Sequence, residues 1–138
     1  MQEKTNFPAK NGSPSVIKQI GTPMKKIALF AFNGESMCFV HVLLNALDMK
    51  EKGYDVKVII EGSATKLVEE LADETKPFAN LYKKVKDQGL IDCVCKACAN
   101  KMNALNTAID QQLPLCDELS GHPSMAKYME QGFEIITF

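Results

Sequence analysis

Lys26-Ile-Ala-Leu-Phe-Ala-Phe32, followed by Asn33-Gly34-Glu35-Ser36, is the stretch that decides the fold class. The first seven residues form a nearly continuous apolar run. A run without polar alternation suits a strand covered on both faces, as in parallel sheets. The polar tetrapeptide is turn chemistry leading into a helix cap. Over residues 37–52, Val40, Leu43, Leu44 and Leu47 recur at helical spacing, and Gly53 ends the segment. Val56, Val58, Ile59 and Ile60 then form a second strand.

The same alternation continues outward. Ser63 is placed to cap a helix through Leu71, with Leu67, Val68 and Leu71 on its inner face. Pro77 opens another through Gln88, ended by Gly89. Leu90 to Cys95 reads as the third strand and Ala97 to about Gln111 as the following helix. Leu113 to Cys116 is a short fourth strand. His122-Pro123 opens a last helix closed by Gly132, and Phe133 to Phe138 is the final strand. This spacing predicts an α/β domain over residues 25–138, a three-layer α/β/α sandwich on a mainly parallel sheet. Residues 1–24 place Pro8, Gly12, Pro14, Gly21 and Pro23 among polar residues and bury little apolar surface. They read as a flexible N-terminal arm.

Composition narrows the function classes. The chain has 138 residues, 46% hydrophobic and 24% charged, with a formal net charge of −1, which fits one globular domain. All sixteen basic residues are lysines, so the planar fork that reads phosphate or guanine bidentately is absent. No basic cluster lies next to aromatic residues, and no nucleic-acid partner is expected. No apolar run reaches the ~18 residues of a membrane span, and the N-terminus lacks the apolar core of a secretory signal. The expectation is a cytoplasmic chain without a membrane partner. Its five cysteines are then expected to be mostly reduced, without disulfide staples.

In open parallel sheets ligands bind beyond the carboxyl ends of the strands. The residues predicted there are Asn33, Glu35, Ser36, Cys38 and His41 after the first strand, and Glu61 and Ser63 after the second. Cys95 and Cys98 follow the third, and Cys116, Ser120 and His122 the fourth. The sharpest signal is Cys95-Lys96-Ala97-Cys98 at a strand-to-helix junction. A thiol at a helix start faces unpaired N–H groups, which favour the reactive thiolate, and Lys96 would act in the same direction. Cys93, two residues before Cys95 and on the same sheet face, reads as core filler. Met125 and Met129 read as packing. The first loop lacks both the G-x-G-x-x-G spacing and a P-loop, so no nucleotide is expected, and no cofactor of another kind is called for. A zinc site built from Cys95, Cys98, Cys116 and His122 is the metal alternative.

The opening Lys26–Phe32, its polar turn, the helix ending at Gly53 and Tyr54-Asp-Val-Lys-Val-Ile-Ile60 resemble the start of DsrE/DsrF-like proteins. The third strand running into Cys95-Lys-Ala-Cys98-Ala99 resembles that family's cysteine-bearing segment. The resemblance spans about residues 25–138. It implies a five-stranded parallel sheet of order 4-3-2-1-5 and a homo-oligomer, trimer or hexamer. It also implies a sulfur relay in which one cysteine carries a persulfide between donor and acceptor proteins. The position that matches that cysteine is Cys95 or Cys98, and the alignment favours Cys95. Cys98 would tune or resolve the persulfide, because a thiol three residues on can attack it. Cys38, His41, Glu35, Glu61, Cys116 and His122 are the supporting candidates. Thiol-redox activity, zinc binding or a non-catalytic oligomer are the alternatives.

Overall fold

A computed structural model describes residues 24–138, so the expected arm lies outside the described residues up to position 23. The elements are β1 (Lys26–Ala31), α1 (Ser36–Glu51), β2 (Asp55–Ile60) and a 3-10 turn (Gly62–Thr65) running into α2 (Lys66–Glu70). They continue with α3 (Ala79–Asp87), β3 (Ile91–Cys95), α4 (Lys96–Lys101), α5 (Leu105–Asp110), β4 (Leu115–Cys116), α6 (Met125–Glu130) and β5 (Glu134–Thr137). The sheet order is β4-β3-β2-β1-β5 and every pairing is parallel, the order the resemblance implied.

The two faces of the sheet are unequal. Ile27, Leu29, Ala31, Val58 and Ile60 point into the larger core, filled by Val42 and Leu43 of α1, Leu67 and Val68 of α2, and Tyr82 and Val85 of α3. Ala28, Phe30, Ile59, Cys93 and Cys116 point the other way, under Tyr128 of α6 and Phe133. Truncating a fully buried leucine such as Leu43 costs about 2–5 kcal/mol, so the larger core dominates stability. No helix among the described residues is long and apolar enough to cross a membrane.

β3 carries a bulge. Val58 pairs with Ile91 but Ile59 pairs with Cys93, so Asp92 is an extra residue. Ile91 and Val94 therefore both face the larger core, while Cys93 turns to the smaller one. Bulges re-aim side chains in this way near functional sites.

Several sequence expectations change in detail. The helix expected from Ala97 to Gln111 is two short helices, α4 and α5. They are separated at Asn103, whose φ of 56° is left-handed, a conformation asparagine tolerates. Pro77 does not open α3; a turn and the left-handed Phe78 intervene. Ser63 is no helix cap. Its hydroxyl donates to the Phe32 carbonyl and accepts from the Gly34 amide, tying the β1 and β2 loops together. A Cβ on Gly34 would stand 2.6 Å from the Ser63 carbonyl oxygen, so that position has room only for glycine. The last helix starts at Met125 rather than at His122-Pro123, capped by the Ser124 hydroxyl.

The absence of disulfides is also overturned. Cys93 and Cys116 form one, with Cα atoms 5.7 Å apart. The cause is topological: β3 and β4 are neighbours, and both cysteines point into the smaller core within the ordinary Cα range of a disulfide. Cys93 is therefore more than core filler.

Candidate functional site

Cys95 ends β3 and is itself the cap of α4, its Sγ accepting from the Cys98 amide at 3.5 Å. The next turn of chain brings Cys98 back over it. The third member comes from elsewhere in the sequence. Leu119 and His122 exchange backbone hydrogen bonds of 2.8 and 2.9 Å around Ser120 and Gly121, which have φ of 49° and 91°. Two successive left-handed residues make a tight turn of the kind that closes hairpins. It delivers His122 to the thiols: Nδ1 lies 3.1 Å from Sγ of Cys95 and 3.6 Å from Sγ of Cys98. The three ligand-type atoms all fall within 4.8 Å of one another.

Gly121 joins the two halves of this site. Its carbonyl accepts from the Ala97 amide at 3.0 Å and from the Cys95 thiol at 3.6 Å, and a Cβ there would meet Ala97 Cβ at 3.0 Å. Gly121→Ala is expected to lower stability by about 1–2 kcal/mol through the left-handed backbone alone. Denaturant unfolding measures it, and an unchanged midpoint would refute the tight fit.

The expectation of an exposed, acidified thiol at Cys95 or Cys98 fails for Cys95. Cys95 is 0% exposed, and burial pushes its thiol up to about 12. The amide of Cys98 opposes that shift, while the Cys98 thiol and Glu61 add to it. A six-residue helix also offers little macrodipole. Lys96 gives no help, since its ammonium is exposed and turned to Asp117 at 3.6 Å. Cys98 is the half-buried, accessible thiol of the pair.

Glu61 follows the end of β2 and is 7% exposed. Burial first, and Glu118 second, raise its carboxyl from 4.5 to about 7. A raised carboxyl favours the protonated form in the fold, so stability falls as pH rises from about 4.5 to about 7 and levels off above. Glu61→Gln should therefore gain about 2–3 kcal/mol over the parent at pH 8 and little at pH 4. Melting curves at both pH values test this; equal gains at both would show that charge is not the cause.

Other expected site residues fall elsewhere. Cys116 is in the disulfide and so is withdrawn from the proposed zinc set. Cys38 and His41 are exposed on α1 and line a separate open cleft of about 470 Å³ with Asn33, Asn45 and Phe138. Glu35 is exposed at the start of α1. Tyr128 and Asp92 carry no motif that would have marked them in the sequence. The Tyr128 hydroxyl donates to Asp92 and lies 3.5 Å from Sγ of Cys93, and burial raises it above the ordinary phenol range.

A family model described as the DsrE/DsrF-like family matches residues 23–138. The chain belongs to that family. An uncharacterized protein of Methanocaldococcus jannaschii is 40% identical to this DsrE-like chain over 97 residues, 70% of this chain and 77% of its own length. An uncharacterized protein of Archaeoglobus fulgidus is 49% identical over 41 residues, 30% of this chain and 67% of its own length. A conserved protein of unknown function from Bacteroides thetaiotaomicron shares the fold, with a TM-score of 0.61 and 17% identity. The match covers 83% of this chain and 95% of that one.

Proposed function

We propose that this DsrE-like chain is a sulfur-relay protein that carries sulfane sulfur on its Cys95–Cys98 pair. The observation that supports it most is the meeting of both thiols with the His122 imidazole at the carboxyl edge of the sheet. Cys98 is the first acceptor, because it alone of the two is accessible. Its thiol passes a proton to Nδ1 of His122, and the thiolate attacks the outer sulfur of a donor persulfide, R–S–SH. The donor's S–S bond breaks, RS⁻ leaves as RSH with the proton from His122, and Cys98 holds –S–SH. An acceptor thiolate unloads it by the same step in reverse. Alternatively Cys95 attacks the inner sulfur, forming a Cys95–Cys98 disulfide and releasing hydrogen sulfide. With its thiol pushed up to about 12, Cys95 does this slowly, which favours carriage over release.

The test is intact mass of the reduced protein after incubation with a persulfide donor. One added sulfur atom is the expected product. Loss of two hydrogens without sulfur gain in the Cys93→Ala/Cys116→Ala variant, where that bridge cannot re-form, would favour a thiol-redox pair, and no change at all would overturn the proposal.

A relay also needs partners, and we assign it a homo-oligomeric form. Met37 and Leu44 stand exposed on the same turn-to-turn face of α1 as His41, beside the open cleft that Phe138 lines. A second copy covering this apolar surface gives a species that sediments as a multiple of 15.3 kDa. A 15.3 kDa species at micromolar concentration would refute it.

A further inference from the structure

We propose that Cys95, Cys98 and His122 form a three-ligand site for one zinc ion, with the fourth position open to an external thiolate or sulfide. Such a site goes beyond the relay and does not depend on it.

Geometry comes first. Tetrahedral zinc, with Zn–S of ~2.3 Å and Zn–N of ~2.0–2.1 Å, holds a sulfur and a nitrogen about 3.5 Å apart and two sulfurs about 3.8 Å apart. The structure holds Nδ1 of His122 at 3.1 and 3.6 Å from the two sulfurs, and no pair of the three atoms exceeds 4.8 Å. Small side-chain rotations close the remaining gap. The backbone around the atoms is already braced. Cys95 ends a strand, His122 sits on a closed two-residue turn, and the Ala97 amide bonds the Gly121 carbonyl between them at 3.0 Å. The Cys98 amide pointing at the Cys95 sulfur is the kind of outer-shell donor that steadies a metal-bound thiolate.

Charge leads to the same cation. Two thiolates side by side near the buried Glu61 carboxyl would be a costly concentration of negative charge. A divalent ion with two thiolates and one neutral imidazole is a neutral centre, so it lets both sulfurs lose their protons there. Three protein ligands match the open arrangement of catalytic zinc sites rather than the closed arrangement of structural ones. Cys98 and His122 are both partly exposed, so the open vertex faces the side from which a sulfur compound arrives.

The experiment titrates cobalt(II), then zinc(II), into the reduced full chain stripped of metal. The expected result is one equivalent of cobalt giving a thiolate-to-metal absorption band that zinc abolishes. Cys98→Ser and Cys95→Ser should lose the band, and His122→Gln should weaken binding by at least about 10-fold. Cys38→Ser should keep it unchanged and the Cys93→Ala/Cys116→Ala double variant should keep it with weaker binding, each checked for folding by circular dichroism. A band that survives in folded Cys98→Ser, or disappears with Cys38, would overturn the assignment. No band in the folded parent would do so too. Persulfide loading without metal leaves the relay standing and removes the zinc site. Metal binding without loading does the opposite.

Discussion

Cys98→Ser is expected to abolish sulfur loading, while Cys95→Ser loads at close to the parent rate and holds its sulfur longer. The two thiols share one imidazole yet differ in access. Cys95 is fully covered, and burial keeps it protonated at neutral pH. Cys98 is half-buried, one helical turn on, with its sulfur leaning back over the strand end because helical side chains point towards the N-terminus. A donor persulfide on another protein reaches Cys98 first. Losing the nucleophile removes the route altogether, a loss of at least about 100-fold in loading rate on the scale of nucleophilic catalysis. Losing Cys95 removes only the internal thiol that would attack the loaded sulfur. Persulfide content by mass against time, for parent and both variants, measures it. Loading that fails in Cys95→Ser and persists in Cys98→Ser would reverse the roles and restore the carrier position implied by the family resemblance.

Breaking the Cys93–Cys116 disulfide is expected to cost about 3 kcal/mol of stability, from the loop entropy of a 23-residue separation. The bridge pins β4, which is only two residues long and lies at the sheet edge. The turn that carries His122 begins just beyond β4, so loosening the strand also loosens the imidazole. Unfolding of the parent with and without reductant, and of Cys93→Ala/Cys116→Ala, reads the effect. The double variant should match the reduced parent, with slower sulfur loading in both. An unchanged midpoint on reduction would show that β4 is held by packing alone.

The parallel class was legible because β1 is a nearly continuous apolar run and helical stretches separate the strands, while the strand order came only with the family resemblance. The short helices were not legible. α4 and α5 share a continuous polar-apolar pattern, and only the left-handed backbone at Asn103 separates them. At the site, Cys95 and Cys98 were visible as a motif, and His122 as one of many polar residues beyond strand ends. What joined them was invisible. The Ser120-Gly121 dipeptide is a turn signal, but its contact with Ala97 depends on tertiary placement. The burial of Cys95 was missed for a related reason. A motif at a strand end suggests exposure, while the depth of that end depends on neighbouring strands. The disulfide was missed because compartment arguments say nothing about which cysteines end up on adjacent strands.

The extra residue in β3 has a consequence for reach. With Val94 opposite Ile60, the strand continues to set Cys95 level with Glu61. An unbulged strand anchored at the same Val58–Ile91 pair would lift Cys95 by one residue, about 3.3 Å further out. The bulge thus sinks the thiol into the sheet edge. A recessed sulfur admits small species such as hydrosulfide and turns away bulky electrophiles. Deleting Asp92 would remove the unpaired residue and leave Cys95 level with Glu61, so the thiol would keep its depth while Tyr128 loses its carboxylate acceptor.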